Sequence, residues 1–170
     1  MFLLGRSKRP VRNCARCRQA GGSHDPQACQ CLTCHGFYAA TTHADRVHAI
    51  FDAVPGGLPA MRAGAPAGLV VVDIDPGHGG RIDAALMPPT ATVATGGGGW
   101  HLYYAHPGRP VPSRPLPGRP GVDIKAEGGY VVVPPSTLWG SNTRIRAVTC
   151  HSPGVAHREA WQAARSWSGR

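Results

Sequence analysis

Apolar residues in this chain come in short clusters separated by glycine and proline, a pattern that predicts strands more often than helices. The clearest cluster is Leu69-Val70-Val71-Val72-Asp73-Ile74-Asp75. Four consecutive apolar residues predict a strand covered on both faces, closed by Pro76-Gly77. Thr90 to Ala94 and Trp100 to Ala105 read as a hairpin around Gly96-Gly97-Gly98-Gly99. Val122 to Ala126 and Tyr130 to Val133 read as two more strands joined through Gly128-Gly129, and Phe2 to Leu4 as the end of another. A short strand is also expected near Met61.

Helical spacing is rarer. Val47, Ile50, Phe51 and Val54 lie at i, i+3, i+4 and i+7, one face of a helix. Thr42 and Asp45 form an approximate capping box ahead of it, and Pro55-Gly56-Gly57 ends it. Residues 81–87 read as a short helix stopped by Pro88-Pro89. Residues 155–167 read as a final helix carrying Ala156, Ala160, Ala163 and Ala164. Residues 107–120, rich in proline and arginine, read as a loop, and residues 14–35 as a loop-rich segment that needs a staple. No internal repeat is visible. The fold class expected is α+β, a mixed or antiparallel sheet with flanking helices. One domain spans residues 1–150, with residues 14–35 as a small insertion within it and residues 151–170 as a helical tail.

Composition changes this picture in two ways. The chain has 170 residues, enough for one domain with a sizeable core. It has no apolar run of about 18 residues, so no membrane helix is expected. The apolar start is too short for a signal peptide and its charges follow rather than precede it. A cytoplasmic location is expected. The formal net charge of +9 suits a polyanionic partner such as nucleic acid. However, Lys8 and Lys125 are the only lysines among 18 basic residues, and the chain holds 23 Gly and 17 Pro. That skew also follows from a G+C-rich genome, so charge alone does not decide. The nine acidic residues carry more information: Asp73, Asp75 and Asp123 sit inside apolar, β-branched runs, with Glu127 close behind.

Strand alternation puts Asp73 and Asp75 on one face. Two carboxylates at the end of a buried strand lose solvation and repel, at a cost of several kcal/mol unless a cation neutralises them. Hard cations such as Mg²⁺ bind through one or two carboxylates plus substrate phosphates. The alternative is a strand end where both aspartates face water. The glycine run before His101 supplies backbone N–H groups able to approach a phosphate, and His101 is placed to donate to a triphosphate. The alternative is a flexible hairpin tip. Asp123 and Lys125 share a strand face, where the carboxylate can complete a metal site and the lysine can hold a phosphate. Here the alternative is a cross-strand ion pair of little energetic worth.

In order, Val-Val-Val-Asp-Ile-Asp (70–75), Gly-Gly-Trp-His-Leu-Tyr-Tyr (98–104) and Gly-Val-Asp-Ile-Lys-Ala-Glu-Gly-Gly-Tyr-Val-Val-Val-Pro-Pro-Ser (121–136) make the chain resemble the bifunctional DNA primase/polymerase domain of the archaeo-eukaryotic primase superfamily. The resemblance runs from about residue 2 to about residue 140. It implies a nucleotidyltransferase that makes or extends primers on a DNA template in plasmid- or phage-type replication. It implies Asp73, Asp75 and Asp123 as ligands of two Mg²⁺ or Mn²⁺ ions, and His101 as the contact to the incoming nucleotide. Lys125, Gly98, Gly99, Gly128 and Gly129 would line the nucleotide pocket, with Arg114 and Arg119 as weaker candidates for phosphate or template. The implied partners are single-stranded DNA, a (d)NTP and a replicative helicase on a separate chain, with no membrane. Two departures stand out. The superfamily often has serine two residues before the histidine, where this chain has Gly99. The family also usually has a helix ahead of the opening strand, with which this chain begins. The competing reading is a catalytically decayed relative acting as a zinc-containing nucleic-acid-binding module. A phosphate-binding hydrolase using the same carboxylates is a third.

Five of the six cysteines fall within residues 14–35. Cys14-x₂-Cys17 and Cys31-x₂-Cys34 have the knuckle spacing of a tetrahedral zinc site. Cys29 is an alternative ligand, and His24 and His35 are additional candidates. A cytoplasmic chain makes disulfides the lesser use of these residues, and neither pair has the strand-to-helix setting of a redox motif. Structural Zn²⁺ is therefore expected, presenting Arg12, Arg16 and Arg18 to template DNA. Cys150 stands alone and is expected to be inert.

Overall fold

The computed structural model describes residues 1–136 and the strand 146–149. Two antiparallel sheets carry the fold. The larger contains β3 (Leu69–Ile74), β4 (Ala91–Ala94), β5 (Trp100–Ala105), β6 (Arg114–Pro115), β7 (Val122–Lys125) and β9 (Arg146–Thr149). Their spatial order is β6-β7-β3-β5-β4-β9. The smaller contains β1 (Phe2–Leu4), β2 (Leu58–Arg62) and β8 (Tyr130–Val132), in the order β1-β2-β8.

The apolar run of β3 is explained by its position. Val70, Val72 and Ile74 face a core shared with Leu102, Tyr104, Val122, Ile124 and Met87. Val71 on the opposite face is also fully buried. A second core lies between the sheets. Phe2, Leu4, Leu58, Ala60 and Val132 of the small sheet meet Val93 and Tyr103 of the large one. Burial on both faces removes the polar alternation that a half-exposed strand would keep.

Among the described residues helix departs from the sequence pattern in several places. The flanking helices among these residues are α1 (Ala15–Ala20) and α2 (Ala44–Ala53), with short 3₁₀ turns. α2 is capped at His43 rather than Thr42, because the Thr41 hydroxyl accepts from the His43 N–H and sets the entry turn. Ile50 is buried, but Phe51 is 40 % exposed, so the apolar stripe is narrower than its spacing predicts. Residues 81–87 form a turn and not a helix: the Asp83 carbonyl accepts from the N–H groups of Leu86 and Met87, and its carboxylate accepts from Ala85. The local hydrogen bonds of an aspartate compete here with helix propagation. The loop at 107–120 contributes edge strand β6. β7 and β8 do not pair with each other; the chain between them passes from the large sheet to the small one. α1 replaces part of the loop expected at 14–35, with Cys14 as its N-cap. The expected helix at 155–167 and Cys150 lie outside the described residues. Among the described residues no helix is long and apolar enough to cross a membrane.

Candidate active site

Three adjacent inner strands of the large sheet, β7, β3 and β5, set Asp123, Asp73 and His101 in one row. Asp73 of β3 is the register partner of Asp123 on β7 and of His101 on β5. Register partners project from the same face. That face is the one turned toward the small sheet, since Val93, the next residue in the row, packs in the inter-sheet core.

Like charges placed directly opposite one another destabilise a sheet, and Lys125 answers this. Its Nζ lies 2.7 Å from Asp123 Oδ2 and 3.8 Å from Asp73 Oδ2. On the other flank, His101 Nε2 lies 3.4 Å from Asp73 Oδ1. His101 is buried, and its Nδ1 has no hydrogen-bond partner. Tyr103 follows on the same face. Burial and the charge of Asp73 push its phenol up to about 12.

Asp75 sits just past the end of β3, as the cap of a 3₁₀ turn over Pro76–His78. Its Oδ1 accepts from the Gly77 N–H at 2.9 Å, and its Oδ2 lies 2.7 Å from His78 Nδ1. The His78 hydrogen bond is the main reason its carboxyl lies below the ordinary range.

A cavity of about 620 Å³ opens over Asp73, Asp75, Asp123 and His101, a size suited to a small ligand. Lys8, Thr95, Gly96, Gly97 and Tyr130 also line it. Of the glycine run before His101, Gly98 and Gly99 do not line it, nor do Gly128 and Gly129. Gly98 and Gly99 donate their N–H groups to Thr95 within the hairpin turn. Gly99 has a structural reason to lack a side chain, since a Cβ there would lie 2.1 Å from the Ile74 carbonyl oxygen. Gly129 packs against the Ser113 hydroxyl, and Gly128 takes a positive φ of 73° in the turn before β8. Arg114 is exposed on β6, and Arg119 forms a 2.7 Å ion pair with Asp83. Glu127 is a tie between loops: it pairs with His106 at 2.8 Å and accepts from the Val111 N–H.

Lys8, like His78, lines the cavity although no sequence motif contains it; Lys8 comes from the far end of the chain. It occupies a turn closed by hydrogen bonds between Gly5 and Lys8–Arg9, with a positive φ of 61°. Its carbonyl faces the Tyr130 hydroxyl. The available signal was its rarity as one of two lysines.

Carboxylate oxygens are the donors a hard divalent cation takes, and Asp73 and Asp123 present theirs side by side at the cavity. The Lys125 ammonium stands in for part of that positive charge. Asp75 lines the same cavity with its Oδ2 engaged by His78. Among the described residues, the groups of three or more ligand atoms within 4.8 Å of one another are cysteine and histidine sets. One is the expected tetrad Cys14, Cys17, Cys31 and Cys34; Cys29 belongs to a second set. All five of these cysteines are free thiols. The Cys17 N–H points to Cys14 Sγ, and the Cys14 N–H to Cys34 Sγ, at 3.5 and 3.2 Å. The first of these bonds is the main cause that brings the Cys14 thiol down to about 7, while burial pushes Cys17 up.

No curated protein matches the chain. The sequence profile described as bifunctional DNA primase/polymerase, N-terminal, matches residues 2–161. That span includes both sheets, the cysteine segment and the Asp123–Asp73–His101 row, and the chain belongs to the bifunctional DNA primase/polymerase N-terminal domain family.

Proposed function

We propose that this domain is a metal-dependent nucleotidyltransferase that makes or extends primers from (d)NTPs on a single-stranded DNA template. The observation that carries the reading is the row Asp123–Asp73–His101 at the wall of the inter-sheet cavity. Asp73 and Asp123, joined by Asp75, would hold Mg²⁺ or Mn²⁺. Such ions, when bound, acidify a primer 3′-hydroxyl and neutralise a pyrophosphate leaving group.

The chain's own groups have separable tasks. His101, buried and fixed beside Asp73, donates to a phosphate oxygen of the incoming nucleotide. Lys125 leaves the carboxylates as a cation arrives and turns its charge toward the triphosphate. Lys8 approaches the same cavity from the small-sheet side, and the Gly96-Gly97 backbone from the hairpin. Of these groups only His101 is buried, so its interaction with the charge of Asp73 is the one that solvent screens least. A replicative helicase on another chain and a cytoplasmic location belong to the same proposal.

One observation favours a non-catalytic nucleic-acid-binding module instead: Lys125 already neutralises Asp123 at 2.7 Å. Primer synthesis and extension on single-stranded DNA with labelled dNTPs and Mg²⁺ or Mn²⁺ separate the two. The folded wild type is expected to yield product, and the Asp73→Ala/Asp123→Ala double variant none. A folded wild type silent with both metals would leave only the binding module.

A further inference from the structure

The cysteine segment contains more ligands than one tetrahedral ion can use. Cys14, Cys17, Cys31 and Cys34 form one group of four, and Cys17, His24, Cys29 and His35 form another. Cys17 belongs to both. Seven side chains with one shared is the ligand count of two four-coordinate ions joined by a single thiolate.

The spacings agree with this. A tetrahedral zinc with Zn–S of about 2.3 Å has sulfur–sulfur edges of about 3.8 Å. Cys17 Sγ lies 3.7 Å from Cys31 Sγ on one side and 3.7 Å from Cys29 Sγ on the other. Cys14 Sγ and Cys31 Sγ are 4.0 Å apart, and Cys17 Sγ is 3.8 Å from His24 Nε2. A disulfide would need about 2.05 Å.

His35 supplies an independent observation. Among the described residues it is one of two non-glycine residues with positive φ, at 62°, a conformation that persists when the surroundings impose it. Asn13 imposes it, taking the His35 N–H at 2.7 Å and placing Nδ2 3.2 Å from the ring Nδ1. His35 Nε2 is then buried with no hydrogen-bond partner, a loss that a ligand would remove. Ligation through Nε2 requires the proton on Nδ1. The Asn13 Nδ2 contact to Nδ1 is then given up, while Oδ1 keeps the His35 N–H.

We propose that the segment from Cys14 to His35 binds two zinc ions bridged by the Cys17 thiolate, one held by four sulfurs and the other by Cys17, Cys29, His24 and His35. Charge favours filling both positions. Four thiolates on one Zn²⁺ leave a net charge of −2, whereas five thiolates on two leave −1, since the imidazoles bind neutral. The thiol protons are released on binding. The second ion also joins the segment to the core, because His35 leads directly into the turn Gly36–Ala39, whose Phe37 packs against the inter-sheet core.

The test is zinc content of the dialysed full-length chain by plasma mass spectrometry, paired with X-ray absorption at the zinc edge. The expected result, from the two groups of ligands, is two zinc per chain with an average shell of three sulfurs to one nitrogen. A metal–metal vector of roughly 3–4 Å should accompany it. The His24→Ala/Cys29→Ala double variant is expected to keep one zinc in an all-sulfur shell. One zinc per chain in the wild type overturns the proposal, whatever its shell. So does a double variant that still holds two. If the double variant does not fold, the wild-type stoichiometry and metal–metal vector decide alone.

Discussion

Asp73 and Asp123 are direct cross-strand partners, and the Lys125 ammonium is seated against both, 2.7 Å from Asp123 and 3.8 Å from Asp73. The sheet therefore places two like charges in contact and supplies a removable counter-charge from the same strand as one of them. An ammonium on a flexible stem can withdraw without disturbing the backbone that holds the carboxylates.

Removing that counter-charge makes the competition measurable. A pair this exposed is worth about 1 kcal/mol at most. Lys125→Met is accordingly expected to tighten Mn²⁺ binding by up to about fivefold, read by EPR titration. Unchanged or weaker binding would show that Lys125 does not compete with the cation. Nucleotidyl transfer by the same variant is expected to fall, because the proposed function gives the lysine a second task at the triphosphate.

Lys8 approaches the cavity from the opposite sheet. A charge-assisted contact to phosphate contributes about 1.5–3 kcal/mol. Lys8→Ala is expected to weaken (d)NTP binding at least tenfold in a calorimetric titration while leaving the fold intact, since Lys8 is exposed. Equal affinity would remove Lys8 from the nucleotide site.

Two neighbouring glycines should respond differently to substitution. At Gly99 a methyl group would meet the Ile74 carbonyl oxygen at 2.1 Å, and backbone cannot yield as a side chain can. Gly99→Ala is expected to destabilise by about 3 kcal/mol or more in urea unfolding and to disturb the β3–β5 register that holds His101. At Gly98 the space is open and only φ, at 82°, opposes a side chain. Gly98→Ala is expected to cost about 1–2 kcal/mol. Equal effects at the two positions would refute the close approach at Gly99.

Glu127 ties the acid limb of stability to the loops around β7. Burial pushes its carboxyl up, but hydrogen bonds from His106 and backbone N–H groups including that of Val111 outweigh it. The net result lies below the ordinary 4.5. A depressed carboxyl stabilises the folded state above the unfolded value, and this stability is lost as pH falls through the folded one. The melting temperature is therefore expected to drop from about pH 5 downward, less steeply in Glu127→Gln. Parallel wild-type and variant profiles would assign the acid limb to other carboxylates.

Much of the sheet was legible because its residues obey local rules. The Val70–Val72 run, the glycine-turned hairpin of β4 and β5, and the short strands β7 and β8 each announce themselves by composition. The helices were less legible. Asp83 resembles the start of a helix as readily as the turn it makes, and the difference lies in hydrogen bonds that close only in the folded chain. The division of β7 and β8 between two sheets is likewise silent in the sequence, since Gly128-Gly129 suits a hairpin as well as a crossing. Lys8 was invisible as a cavity residue because it lies more than 60 residues from every aspartate of the row.

The sequence by itself determined which side chains are available: three aspartates and a histidine in apolar strands, and cysteines at knuckle spacing. It also determined which residues of one strand share a face, because alternation is a property of the extended backbone. Only the tertiary structure decided the register. A shift of one residue between β3 and β7 would send Asp73 and Asp123 to opposite faces, so their juxtaposition depends on packing the two cores. The same holds for Cys17, which the sequence places in one CxxC pair and the folded segment places between two groups of ligands. Sequence spacing describes neighbours along the chain, and metal ligation depends on neighbours in space.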